Sequence, residues 1–221
     1  GFDVACWDAL AKAPEMPLYK LLGGETDRVP TYNSNGLSLM SPDALAKEAY
    51  DLLRDGFHAV KLRLGYTTWQ EDIEAVRAVR KAIPSDAPLM TDYNQSLSVN
   101  EAIIRGRVLD AEDITWIEEP IAHDDYIGCA KVAEDVKTPI QIGENFCNLN
   151  DVKLAIKMRA TDFIMPDLQR IGGVTGWLAA ASVAESENTL MSSHLFPEVS
   201  AHLMTVTPTA HWLEFVDWAA A

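Results

Sequence analysis

Cysteine is scarce in this chain: three residues in 221, none in a CxxC arrangement, leave no disulfide framework and no thiolate zinc site. Cys6, Cys129 and Cys147 are widely spaced and read as small, buried apolar residues of a protein kept in a reducing compartment, the cytoplasm. Cations are scarce too, with 18 Lys and Arg against 33 Asp and Glu, a formal charge of −15. No basic stripe offsets phosphate repulsion, which excludes nucleic acid as a partner and leaves solubility as the reading of the charge. No apolar run approaches the roughly 20 residues a bilayer-spanning helix needs, and GFDVACWDAL enters a helix without a leader, so no membrane partner is expected. Low-complexity tracts, linkers and short-period repeats are missing as well. The remainder, 48% apolar and 23% charged, is the composition of an ordinary globular protein long enough for one large core.

Eight short apolar runs that break into polar, Gly or Pro residues read as strands: 29–34, 58–64, 88–94, 115–120, 139–145, 162–168, 189–195 and 211–217. Seven helical patterns lie between them. The clearest covers 41–56, with Ser41 as N-cap, Pro42 at the first helical position and Gly56 as terminator. Ile73, Val76, Val79 and Ile83 give 69–83 helical spacing, and 151–160 behaves likewise. Strand and helix in alternation with short connections imply parallel strands joined by right-handed crossovers. Eight such strands suit a closed (β/α) barrel, because closure removes the edges, and YNSNGLS after the first strand is a poor phosphate loop for an open nucleotide-binding sheet. The expected organisation is one catalytic barrel domain over 1–221, with a helical lead-in at about 1–24 and the barrel at about 29–217. Both ends look cut from a longer protein.

Three of the strand candidates end in an acid: Asp92 in LMTDYN, Glu118 in WIEEP and Glu144 in IQIGEN, at two equal steps of 26 residues. That step is the length of one strand, one helix and two loops, so the acids are expected at equivalent C-terminal strand ends. Taken singly, each serves equally well as a cap for the following helix; the equal spacing favours a shared site. Neighbouring strands lie about 4.8 Å apart, so three carboxylates can converge and need a cation among them. Oxygen-only ligation points to one hard divalent ion, most simply Mg2+, with Mn2+ the alternative.

Reactive groups of such barrels sit at the C-terminal strand ends, a rule that selects Ser34, Lys61, Arg63, Asp92, Asn94, Glu118, Glu144, Asp167, His194 and Glu214. Asp167 and His194 close the sixth and seventh strands. A carboxylate on one imidazole nitrogen fixes the tautomer and leaves the other nitrogen free to take a proton. His58, His123, His202 and His211 lack such support, His123 in AHDDY being the one other to watch. Lys61 and Arg63 leave their strand on one face, where two cations need anions: the acids, a bound substrate carboxylate, or both. Glu214 donates to that carboxylate if protonated and otherwise orients as an acceptor. Together these parts describe abstraction of the α-proton of a carboxylic acid, with fixed positive charge stabilising the enediolate.

The motifs GFDVACWDALAK, VKLRLGY, MTDYNQSL, WIEEP, IQIGEN, MPDLQRIGGVTGW, MSSHLFPEVSAHL and TPTAHWLE resemble those of the enolase superfamily. Within it, the match is to the mandelate racemase (mandelate racemase/muconate lactonizing enzyme-like) subgroup and runs along essentially the whole chain. The resemblance implies a modified (β/α)7β barrel, with Mg2+ held by Asp92, Glu118 and Glu144 and an Asp167–His194 acid/base dyad. It further implies Lys61 and Glu214 at the substrate carboxylate, Asn94 and Ser34 as additional substrate contacts, and a symmetric homo-oligomer. The family's N-terminal capping domain and its C-terminal completion are not represented here. One position departs from the pattern: where mandelate racemase has the second Lys of a KxK motif as base on the opposite substrate face, this chain has Arg63. Arginine stays protonated, so it is a poor proton acceptor but a good anion fork. A racemase needs a base on each face, whereas a dehydratase of acid sugars works from His alone. The expected reaction is therefore dehydration of a polyhydroxy acid. The alternatives are racemisation or epimerisation of a 2-hydroxy acid and a non-catalytic homologue that binds metal and acid.

Overall fold

Strands and helices alternate as the apolar periodicity requires, and the computed structural model describes residues 1–25, 28–54 and 56–217. Two helices, α1 (Phe2–Lys12) and α2 (Leu18–Leu21), lead in. The alternating part begins β1 (Thr31–Asn33), α3 (Pro42–Leu52), β2 (Val60–Arg63), α4 (Trp69–Ala82), β3 (Leu89–Asp92) and α5 (Val99–Leu109). It continues β4 (Ile117–Glu118), α6 (Tyr126–Asp135), β5 (Ile140–Ile142), α7 (Leu149–Lys157) and β6 (Phe163–Ile164). It ends α8 (Gly173–Ser186), β7 (Leu190–Met191), α9 (Pro197–Met204) and β8 (Leu213–Phe215). The strands are parallel, in the order β7-β6-β5-β4-β3-β2-β1-β8. Backbone bonds from Met191 N to Thr209 O (2.9 Å) and Ser193 N to Trp212 O (3.0 Å) join β7 to the approach of β8 and close the barrel. With seven helices between eight strands among the described residues, the fold is the expected (β/α)7β barrel.

Alternation within each strand divides the apolar residues into two cores. Val60, Leu62, Leu89, Ile117, Ile140, Ile142, Ile164 and Leu213 face outward and pack in one large cluster with the helices. Tyr32, Ala59, Met90 and Trp116, with Phe163 and Trp212 against them, form a smaller cluster of their own inside the barrel. That inner plug leaves the positions above it, toward the C-terminal strand ends, to polar residues.

Side-chain caps set several helix starts. Thr68 and Glu71 form a complete capping box on α4, and Ser98, Asp125 and Asn148 cap α5, α6 and α7. Asn148 accepts from the amides of Asn150 and Asp151, which starts α7 two residues before the expected 151. Ser41 does occupy the N-cap of α3, but its side chain makes no capping bond, and the helix ends at Leu52, well before Gly56. The lead-in is stapled to the barrel through Asp3, whose carboxylate accepts from Thr175 N (3.1 Å) and Thr175 Oγ1 (2.6 Å) at the start of α8. A Cβ on Gly173 would stand 2.4 Å from Asp3 Oδ1, and its φ is +83°, so glycine is required where α1 meets α8. Cys129 is buried as expected; Cys6 and Cys147 are exposed instead, one on α1 and one on the turn before α7, where the Cys147 thiol donates to Asn145 O at 3.4 Å. Among the described residues no helix is long and apolar enough to cross a membrane. The expected chain end at 218–221 lies outside the described residues.

Candidate active site

The strands run shorter than their apolar patterns because the mouth of the barrel is irregular backbone. Asn94, Gln95, Glu119, Gly143, Leu195 and Phe196 all have positive φ, and each lies within three residues of a selected acid or of His194. Such conformations cost energy and persist only where surrounding contacts enforce them.

Asp92 and Glu118 are direct cross-strand partners, and Asp92 pairs on its other side with Arg63. Glu144 does not share their register. The partner of Glu118 on β5 is Gln141, and Glu144 stands two residues past the strand, in a turn closed by Phe146 N to Gly143 O at 3.0 Å. Equal steps along the chain are therefore not equal steps along the barrel. Asp167 and His194 are partners in an isolated parallel bridge that carries the β6–β7 pairing on to the rim.

The centre of the mouth is a buried ion cluster. Lys61 Nζ lies 2.5 Å from Glu118 Oε1, 2.7 Å from Glu214 Oε1 and 3.2 Å from Asp92 Oδ2, with all four side chains almost fully buried. Burial alone would drive the lysine pKa down, but Glu118 and Glu214 outweigh it and hold it well above normal. One ammonium cannot neutralise three acids. Burial, against the pull of Lys61 and with the push of Asp92 and Glu214, raises the Glu118 pKa well above the carboxylate range. Glu214 resolves the other way: burial raises it, but Lys61 and His194 lower it further, and its Oε2 accepts from Leu195 N at 2.9 Å. Of its two expected roles, this geometry is that of the orienting acceptor. The second oxygen of Glu118 accepts from Trp116 Nε1 (3.2 Å), which ties the cluster to the apolar plug.

His194 completes the site. Its Nδ1 is 2.8 Å from Asp167 Oδ2, and Asp167 Oδ1 accepts from the amides of Gln169 (2.8 Å) and Arg170 (3.0 Å), so the orienting acid is itself oriented. On the other side Nε2 is 3.3 Å from Glu144 Oε2. Burial lowers the imidazole pKa, but these two acids reverse that and lift it to about 10.

The remaining selected residues act on their neighbours. Asn94 gives its backbone N–H (2.8 Å) and its side-chain amide (3.1 Å) to the two oxygens of Asp92. Arg63 turns aside: its guanidinium donates to Ser34 O and Gly36 O (both 2.8 Å) and to Ser34 Oγ (3.2 Å). Ser34 is buried beneath it, and together they fasten the loop after β1. His123, the histidine to watch, is fixed through its backbone N–H to Gln95 Oε1 (3.0 Å).

Two participants escaped the sequence reading. Arg170 donates to Glu144 O (3.2 Å) and to Asn145 Oδ1, bracing the turn that carries Glu144. Glu119 is fully buried, and burial together with Glu144 and Asp92 pushes its pKa up to about 8 despite a backbone N–H from Gly143. A signal for it existed: if Glu118 faces the lumen, the next residue must face the apolar helix layer, where an acid is out of place.

Residues 44–221 match the family model described as enolase C-terminal domain-like. Among characterised proteins, L-talarate/galactarate dehydratase of Salmonella typhimurium is 36% identical over 217 residues, covering 98% of this chain and 54% of that protein. Among solved structures, an enolase from the alphaproteobacterium bal199 with bound magnesium superposes with a TM-score of 0.97 at 48% identity, over 100% of this chain and 62% of that one. An enolase from Bradyrhizobium complexed with magnesium and mandelic acid gives 0.93 at 40% identity, over 99% and 60%. The chain thus spans between half and two thirds of the length of the proteins it matches. On the family match, the sequence identity and the barrel they share, the chain belongs to the enolase C-terminal domain-like family, with relatives in the mandelate racemase subgroup.

Proposed function

We propose that the chain carries the catalytic barrel of a mandelate racemase subgroup enzyme that removes the α-proton of a 2-hydroxy carboxylate, and that its reaction is dehydration of an acid sugar. The observation that carries this is the His194–Asp167 pair at 2.8 Å, which leaves Nε2 on the side of the mouth acids, 3.3 Å from Glu144 Oε2. The dehydratase relative and the magnesium-bound neighbours support it.

Among the described residues no three His, Cys, Asp or Glu side chains already form a metal cage. The donor chemistry nevertheless fits a hard cation: three carboxylates, Asp92, Glu118 and Glu144, at one rim, with more acid than Lys61 can neutralise. These three residues would hold a Mg2+ ion, which when bound supplies the positive charge that a developing enediolate requires.

His194 Nε2 takes the proton from Cα, and the electron pair passes into the carboxylate to form the enediolate. The pair then expels the β-hydroxyl, which leaves as water with the proton His194 returns to it, and the resulting enol becomes a 2-keto acid. Asp167 stabilises the imidazolium between the two transfers. Lys61 meets the substrate carboxylate from below, aligned by Glu214 and Glu118. Arg63, folded onto the loop after β1, leaves one face of the substrate without a base, which favours dehydration over racemisation. The mandelic acid bound by one neighbour supports the second reading, racemisation of a 2-hydroxy acid.

The test is incubation in D2O with Mg2+ and a panel of acid sugars and 2-hydroxy acids. Loss of water with deuterium at Cβ of the 2-keto acid supports the dehydratase, and deuterium at Cα with inversion supports the racemase. Binding without exchange would reduce the chain to a metal- and acid-binding homologue.

A further inference from the structure

Glu119 has no step in the reaction proposed above, and a helix-facing position at a strand end does not ask for an acid. Its side chain is fully buried. Oε1 accepts from Gly143 N at 2.8 Å, and Oε2 is buried with no hydrogen-bond partner among the described residues. Keeping such an oxygen is costly, and an apolar residue would avoid the cost. The backbone of the same residue is held on both sides: Glu119 N donates to Gln141 O (3.0 Å), and Glu119 O accepts from Gln95 N (2.7 Å). Its own φ is +37°.

What Glu119 holds is the turn that carries Glu144. Gly143 has a φ of +133°, and a Cβ there would lie 2.6 Å from the Phe146 ring and 3.1 Å from Met165 N. The turn thus starts at a residue with an unusual backbone, pressed against two neighbours, and its N–H has left the sheet ladder. The Glu119 carboxyl is the acceptor that N–H finds. One residue later Glu144 reaches His194 Nε2. On its other side Glu119 anchors Gln95, which follows Asn94, the residue that grips both oxygens of Asp92.

We propose that Glu119 is a positioning residue: by accepting the Gly143 amide it sets the 143–146 turn and so places the Glu144 carboxylate for cation binding. The inference rests on the reading of Glu144 as a magnesium ligand, and its test separates the two. Amide hydrogen exchange across 143–146 and calorimetric Mg2+ titration are measured on the whole chain for the wild type, Glu119→Ala, Glu119→Gln and Glu119→Asp. Val132→Ala, a cavity in the apolar face of α6, serves as a packing control.

In Glu119→Ala, exchange at Gly143 and Phe146 is expected to rise at least tenfold and Mg2+ affinity to fall at least tenfold. Glu119→Gln, which keeps an acceptor at the same reach, is expected to stay within threefold on both. If the alanine variant does not fold, Glu119→Asp decides by the same criteria, since its shorter arm loses Gly143. Unchanged exchange in the variants that lose the contact would overturn the proposal. So would equal changes in Val132→Ala, which would make the effect one of packing alone. A wild type that binds no Mg2+ overturns the metal reading instead, and exchange alone then decides the role of Glu119.

Discussion

Among the described residues the fold buries two ion clusters, and they are built to opposite rules. On the outer side of the barrel, Asp72 faces Arg105, a single buried acid against a single buried base. Asp72 Oδ1 accepts from the amides of Gly65 and Tyr66, both at 3.0 Å, and Oδ2 from Tyr93 (3.0 Å) and Arg105 (2.7 Å). Arg105 spends its other donors on Tyr66 O, Thr67 O and Glu101. At the mouth, one lysine faces three acids and a fourth waits beside a histidine. Buried charge is expensive unless paired, so a cluster balanced in charge and saturated in hydrogen bonds explains itself as structure. An unbalanced one does not. The excess of acid at the mouth is the mark of a site that receives something positive.

If the contrast is right, the balanced cluster governs stability and the unbalanced one governs chemistry. Asp72→Ala strips Arg105 of its partner and leaves two loop amides without an acceptor. It should cost about 3–5 kcal/mol in urea unfolding. A loss below about 1 kcal/mol would mean that water or Glu101 substitutes and that the cluster is dispensable. His194→Asn makes the opposite case. Loss of the Cα proton should slow by roughly 10^2–10^4-fold, the usual contribution of a general base, while Mg2+ affinity hardly moves. An unchanged rate would take His194 out of the reaction.

Magnesium sharpens the comparison at a smaller scale. A ligand that binds only the folded state at a hundred times its dissociation constant adds about 2.7 kcal/mol of stability. Thermal unfolding with and without Mg2+ should show that gain in the wild type and in Arg63→Lys, and lose it in Asp92→Asn. A gain that survives in Asp92→Asn places the ion elsewhere.

The balanced and the unbalanced cluster were not equally legible. The barrel itself was, because strand and helix periodicities alternate cleanly and Pro, Gly and capping residues punctuate them. So were Asp92, Glu118, Asp167 and His194 as a group at one rim, since each ends an apolar run and parallel strands bring such ends together. The register of Glu144 was not: spacing counts residues, and the left-handed Gly143 sets the acid beyond the strand instead of on it. The direction of Arg63 was hidden too, because a long side chain at a strand end can reach sideways to carbonyls that only the folded loop presents. Asp72 carried no signal, lying within an amphipathic helix whose other acids are solvated.

His211 is a half-buried ionisable group with no opposite charge beside it among the described residues, and so the mildest test. It sits in the inner plug with its ring 4.6 Å from Phe163, 5.6 Å from Trp116 and 6.4 Å from Trp212, and Ser192 Oγ is 3.4 Å from Nδ1. Burial alone lowers its pKa to about 4 from the usual 6.5. As pH falls from 6.5 toward 4 the unfolded chain takes up a proton that the native state refuses, so stability drops across that window and this contribution is constant outside it. The full shift corresponds to about 3 kcal/mol, and partial exposure of the ring reduces the expected loss to roughly 1–2 kcal/mol. His211→Phe should flatten the urea midpoint between pH 6.5 and 4.5 relative to the wild type. Parallel curves would mean that the plug admits a protonated ring, and that an unpaired charge in the lumen is better tolerated than the cluster above it implies.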